Sequence, residues 1–236
     1  MTQAAPVPIV ALDSPALARS LALMDELGDL CRYYKIGSEL FTTAGPDAVF
    51  QVQARGAQVM LDLKFHDIPN TVAGAVSVAS AFGASIVTVH AAGGEAMLRA
   101  AAEAAGEECR IFAVTLLTSL DGPAAAAVWG RDRVDVGREV VRLATLARDG
   151  GAAGVVASGS EIEVVKAALG RDLKVLVPGV RLAGSPAGDQ RRIVTPGEAR
   201  RLGADYVVLG RTVTAAPDRR EAMARVLEEL ETRTED

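Results

Sequence analysis

The chain has little of what builds redox or metal centres. It contains two cysteines, Cys31 and Cys109, far apart and in no CxxC pair, and two histidines, His66 and His90. That excludes a disulfide framework and argues against a His/Cys zinc cage. Two lone thiols in 236 residues point to a reducing, cytoplasmic setting. Aromatic residues make up only 4% of the chain while hydrophobic ones make up 50%. A core must then be assembled from Val, Leu, Ile and Ala, the mixture found where helices cover a parallel sheet. Positive charge is not in excess, and a net charge of -5 leaves no electrostatic footprint for nucleic acid. The amino-terminal MTQAAPVPIVALD has no basic start, and Asp13 cuts its apolar run short, so it does not read as a signal peptide. No GxGxxG follows the first apolar run, which speaks against a dinucleotide-binding unit.

One stretch is long enough to span a bilayer: between Asp67 and Glu95 lie 27 residues without a formal charge. Pro69, Asn70, several Ser and Thr, and the break at Phe82-Gly83 make it a buried helix, a turn and a buried strand instead. No membrane association is expected.

Short β-branched runs alternate with amphipathic segments from end to end. Strands are expected at residues 9–12, 33–37, 58–63, 86–90, 111–116, 154–157, 174–177 and 206–209. Helical patterns lie between them. In residues 15–27, Ser14 is a natural N-cap and Pro15 takes the first helical position. Residues 136–148 are closed by Asp149-Gly150-Gly151, the Ala-rich residues 96–105 are ordinary helix, and the last helix covers residues 217–230. Eight such units argue for an α/β fold, a single closed (β/α)8 TIM barrel over residues 1–236, with an open doubly wound sheet as the competitor. Two connections are long, residues 120–135 and 181–193, the kind of segment that often forms a lid or binding loop. Trp129 in the first either anchors that loop or packs on the surface.

Polar and charged residues gather where strands end: Asp13 after the first, Lys35 late in the second, Asp62 and Lys64 at the end of the third. His90 closes the fourth, Thr118 and Ser119 follow the fifth, Arg181 the seventh and Arg211 the eighth. In a barrel these are rim positions, where active sites are built, although any one strand end is wet and polar for ordinary reasons. In MLDLKFHDIPNT, residues 60–71, Asp62 and Lys64 share one strand face and Leu61 and Leu63 the other. If the leucines pack on outer helices, the charged pair faces the barrel mouth. A purely structural ion pair is the alternative, yet a buried pair is a costly way to gain stability. Only four of the 25 basic residues are lysine, at 35, 64, 166 and 174. Two of these stand among strand-end carboxylates, and lysine can give up a proton where arginine effectively cannot. Pro178-Gly179-Val180-Arg181 and Gly210-Arg211-Thr212 fall in the loops after strands seven and eight, the common phosphate site of this fold. His90 reads equally as an acid–base group or as a core histidine bonded to neighbouring backbone.

These motifs resemble the orotidine 5′-monophosphate decarboxylase family: ALD, YKIGSELF, DLKFHDIPNT, TVHAAGG, LTS, PGVR, GDQRRIVTP and VLGRT, in one order over essentially the whole chain. The resemblance implies decarboxylation of a pyrimidine nucleotide by a homodimer whose active sites lie at the subunit interface, with no cofactor and no metal. Carried over, Lys64 would be the general acid and Asp62 would lie beside the substrate carboxylate. Asp67 would enter the partner's site with Thr71, and Lys35 would complete an alternating charge array. Asp13 would bind the ribose, and Thr118 and Ser119 would meet the pyrimidine. Gln190, Gly210 and Arg211, helped by Arg181, would hold the phosphate. One departure is Ala157, where the family pattern has Cys before Ser158. Two rivals remain. One is a metal-dependent sugar-phosphate decarboxylase or aldolase sharing the Asp-x-Lys-x-x-Asp core, disfavoured by the IPNT and GDQ segments. The other is a non-catalytic phosphate sensor, which intact Asp62 and Lys64 argue against.

Overall fold

The computed structural model describes residues 4–183 and 194–232. Eight parallel strands close on themselves in sequence order: β1 Val7–Ala11, β2 Tyr33–Gly37, β3 Gln58–Phe65, β4 Ile86–His90, β5 Arg110–Val114, β6 Gly154–Val156, β7 Lys174–Val177 and β8 Tyr206–Leu209. β1 pairs with both β2 and β8, so the sheet has no edge and the open-sheet alternative is excluded.

Period-two alternation divides each strand between two cores. Ile9, Ala11, Met60, Ile86, Phe112, Leu176 and Val208 fill the barrel interior. Val10, Leu61, Val87, Ile111, Val175 and Val207 face outward, against the helices. Three of the nine aromatics, Tyr33, Phe112 and Tyr206, pack together inside the barrel. Tyr206 meets Phe112 edge-on at 5.4 Å and Tyr33 at 6.4 Å, and Arg110 donates to the Tyr206 hydroxyl. Gly154 makes room for this plug, since a Cβ there would lie 2.4 Å from the Phe112 ring.

The uncharged stretch resolves into helix Pro69–Ala81 and strand β4, and among the described residues no helix is long and apolar enough to cross a membrane. Several expected boundaries move. The first helix begins at Leu17, not Pro15. Ala16 is still extended, and the Ser14 hydroxyl accepts the Ala16 N–H instead of capping the helix. The last helix is Arg219–Glu231, started by Asp218 accepting the Glu221 N–H. β5 ends at Val114, two residues early, and β3 runs on to Phe65. The 120–135 connection is not a bare loop. Asp121 caps a helix, Gly122–Trp129, that ends at left-handed Gly130, with Arg131 over the Trp129 ring.

Candidate active site

β3 supplies the centre of the site through an irregularity. Leu61 pairs with Val87 and Phe65 with Val89, so four residues of β3 advance against two of β4. Such a bulge bends the strand and re-aims side chains. Within it Lys64 has φ +51, the only non-glycine residue with positive φ among those described. A lysine kept there costs about 1–3 kcal/mol, the kind of strain that gathers at functional sites. Leu61 is buried against the outer helices and Leu63 packs on the same layer, leaving Asp62 and Lys64 at the mouth as their spacing implies.

Four charges alternate there. Lys35 Nζ lies 2.9 Å from Asp13 Oδ1 and 3.5 Å from Asp62 Oδ2, and Lys64 Nζ lies 2.8 Å from Asp62 Oδ1. Gly37 leaves the space for Lys35, because a Cβ would sit 3.0 Å from its ammonium. Burial pushes the Asp62 carboxyl up, but the Lys35 and Lys64 charges, with hydrogen bonds from Lys64 and Thr88, outweigh it and hold the pKa below the ordinary value. Half-buried His90 is lowered, chiefly by burial and then by His66 and Lys64; its ring lies 5.4 Å from that of His66.

Across a cavity of about 320 Å³ stand Gly179, Arg181, Gly210 and Arg211, with Thr118 on the wall between. That volume is at the lower end of small-ligand sites. A larger hollow of about 590 Å³ on the outer side, toward Pro217 and Arg225, shares Arg181 and Arg211. The charge array lines the smaller one. Arg181 is buried, its N–H bonded to the Val194 carbonyl beside a Val180–Val194 bridge.

The fold thus brings together Asp13, Lys35, Asp62, Lys64, Thr118, Arg181, Gly210 and Arg211. It does not bring in Ser119, which is exposed and outside the lining, nor Asp67 and Thr71, which are exposed beside the mouth. Asp67 Oδ1 accepts the Ile68 N–H, and no ion pair to Asp67 forms among the described residues. Gln190 lies outside the described residues. Sequence reasoning missed Gly37 and Thr88. Parity could have found Thr88, which shares the inward face of β4 with Ile86 and His90. Among the described residues there is no group of three His, Cys, Asp or Glu that could hold a metal ion.

Residues 6–226 match the family model described as "Orotidine 5'-phosphate decarboxylase / HUMPS family". The chain is 50% identical to an orotidine 5'-phosphate decarboxylase of Moorella thermoacetica, over 94% of this chain and 91% of that protein. It is 48% identical to that of Paramagnetospirillum magneticum, over 94% and 97%. The crystal structure of orotidine 5'-phosphate decarboxylase from Lactobacillus acidophilus superposes with a TM-score of 0.85 at 32% identity, covering 97% of this chain and all of that one.

Proposed function

The chain belongs to the orotidine 5′-phosphate decarboxylase / HUMPS family, and from that premise we propose that it converts orotidine 5′-monophosphate to uridine 5′-monophosphate in pyrimidine synthesis, with Lys64 delivering the proton and no cofactor taking part. Loss of carbon dioxide leaves an electron pair in the plane of the ring, where π-delocalisation cannot reach it. Stabilisation must then come from charge already fixed where the carbanion forms. An ammonium about 4 Å away at an effective dielectric near 20 supplies on the order of 4 kcal/mol, roughly a thousandfold in rate. As an ammonium, Lys64 also holds the proton that the ring carbon needs.

The observation that carries this reading is the Lys64 ammonium 2.8 Å from Asp62 at the barrel mouth, with Arg181 and Arg211 across the same cavity. Asp62 would lie beside the substrate carboxylate and Asp13 beside the ribose. The glycine-arginine pairs would take the phosphate, a grip remote from the reacting carbon whose binding energy orders the charged array. Every one of these groups comes from one barrel, which supports reading residues 1–236 as one domain.

Exposed Asp67 and Thr71, with Ile68 67% exposed between them, support a homodimer in which a second copy covers this face and receives Asp67 in its own site. Mixing Lys64→Ala with Asp67→Ala subunits should then restore roughly a quarter of native activity, since half the sites of each hybrid dimer are intact. No recovery after verified subunit exchange would count against Asp67 acting across the interface. The reaction is tested by following the ultraviolet absorbance of orotidine monophosphate, and a purified protein that leaves it unchanged overturns the reading. Full loss of activity on chelation, restored by magnesium, would favour the sugar-phosphate rival.

A further inference from the structure

Thr88 stands in the middle of β4, fully buried, its backbone paired with Phe112 as in any regular strand. Threonine in a strand needs no special explanation. Its hydroxyl does, because it donates to Asp62 Oδ1 at 2.9 Å and accepts the Lys64 N–H at 3.0 Å. The same Asp62 oxygen receives Lys64 Nζ at 2.8 Å. One hydroxyl therefore closes a ring that passes through the backbone and the side chain of a single lysine. The bulge creates the need for it. Between the Leu61–Val87 and Phe65–Val89 pairs the Lys64 N–H is displaced from the ladder, and Lys64 holds a left-handed φ that few residues keep unaided. A hydroxyl can donate and accept at once, so donation to Asp62 leaves a lone pair for the lysine N–H.

We propose that Thr88 is a positioning residue for the proton transfer, its hydroxyl fastening the Lys64 backbone to the Asp62 carboxylate so that the ammonium is aimed into the cavity. The proposal rests on the decarboxylase reading above. Without the hydroxyl, Lys64 relaxes toward ordinary strand geometry and its ammonium leaves its place, while the arginines across the cavity still hold nucleotide. Small misplacements of a reacting group cost far more in turnover than in binding.

Thr88→Val keeps the β-branched shape and removes the hydroxyl, whereas Thr88→Ser keeps the hydroxyl and removes a methyl. We expect T88V to lower kcat about 100-fold, with affinity for uridine 5′-monophosphate changed by less than about threefold, and T88S to recover kcat to within about fivefold of the unaltered protein. The proposal falls if T88V turns over normally, if T88S loses as much as T88V, or if affinity falls in step with kcat. Should T88V not fold, Thr88→Ala is read in its place with the same expectations. If neither hydroxyl-free variant folds, Thr88 is a stability residue and the proposal is lost. Turnover of orotidine monophosphate by the unaltered protein is measured first. Its absence would sink the functional reading, whereas normal turnover matched by T88V would sink only the role of Thr88.

Discussion

At each end of the barrel one aspartate sits between two lysines. At the mouth Asp62 meets Lys64 at 2.8 Å and Lys35 at 3.5 Å; at the other end Asp205 meets Lys166 at 2.7 Å and Lys174 at 3.3 Å. All four lysines of the chain thus pair with carboxylates, so scarcity of lysine does not by itself single out Lys64. The surroundings do. Lys166 lies on the regular helix Ile162–Leu169 and also donates to the Leu173 carbonyl, while Asp205 accepts the Val175 N–H. Those bonds fasten one turn to the start of β7, and the cluster borders a surface cavity of about 530 Å³. At the mouth the lysine is backbone-strained, its aspartate is buried, and the facing wall carries arginines. The same two residue types make a brace at one end and a poised charge at the other. In barrels of this kind the carboxyl-terminal rim carries chemistry and the opposite face carries stability.

The sharpest way to break the comparison is to remove one lysine from each cluster. Lys64→Ala should lower turnover by at least about a thousandfold yet leave nucleotide binding measurable by calorimetry. Lys166→Ala should leave kcat within about twofold and lower only the unfolding midpoint. Equal losses of turnover would erase the distinction. Next in size, Phe112→Ala should cost about 3–5 kcal/mol in denaturant unfolding with kcat per folded molecule unchanged, because the plug lies away from the reacting groups. A large fall in kcat would mean that the closed end also tunes the mouth.

The smallest effects are those of pH, and they have opposite signs at the two ends. Asp62 is lowered from its ordinary 3.8, so its contribution to stability is complete above that value and is lost as pH falls through the lowered one. Tyr33, in the aromatic plug, is pushed by burial from 10 up to about 12. Its contribution is complete below 10 and is lost as pH rises through about 12, on the order of 2–3 kcal/mol. Acid should therefore loosen the mouth and alkali the plug. Unfolding midpoints followed against pH should show the acid limb flattened in Asp62→Asn and the alkaline limb flattened in Tyr33→Phe; a single variant that flattens both would refute the separation.

Much of this was legible in the sequence. β2, β4, β7 and β8 begin and end at the residues expected of them, because a short run rich in Val, Ile, Leu or Tyr marks each. The Gly122–Trp129 helix was missed, since residues 120–135 were expected to be a loop, although Asp121 before Gly122-Pro123 and Gly130 after Trp129 are start and stop signals. The mouth was legible from strand-end chemistry, which places Asp13, Lys35, Asp62 and Lys64 on one rim. What lies outside any local pattern is the bulge. It arises from how β3 meets β4, so neither the left-handed Lys64 nor the bond that its N–H makes to the inward-facing Thr88 hydroxyl is written in either strand alone. The first helix fails for a related reason: Ser14 and Pro15 form a good cap signal, but extended Ala16 delays the helix to Leu17.

The bridge between Val180 and Val194 has a consequence for how such an enzyme can change. It brings the chain on either side of residues 184–193 to a single point on the barrel wall, with Arg181 held there by the Val194 carbonyl. A segment whose two anchors already touch closes at an entropic cost that grows only with the logarithm of its length, about 0.6 kcal/mol for each doubling. Evolution, or an engineer, can therefore change the number of residues between those anchors at little cost in stability, while the backbone of the arginine at the first anchor keeps its hydrogen bond.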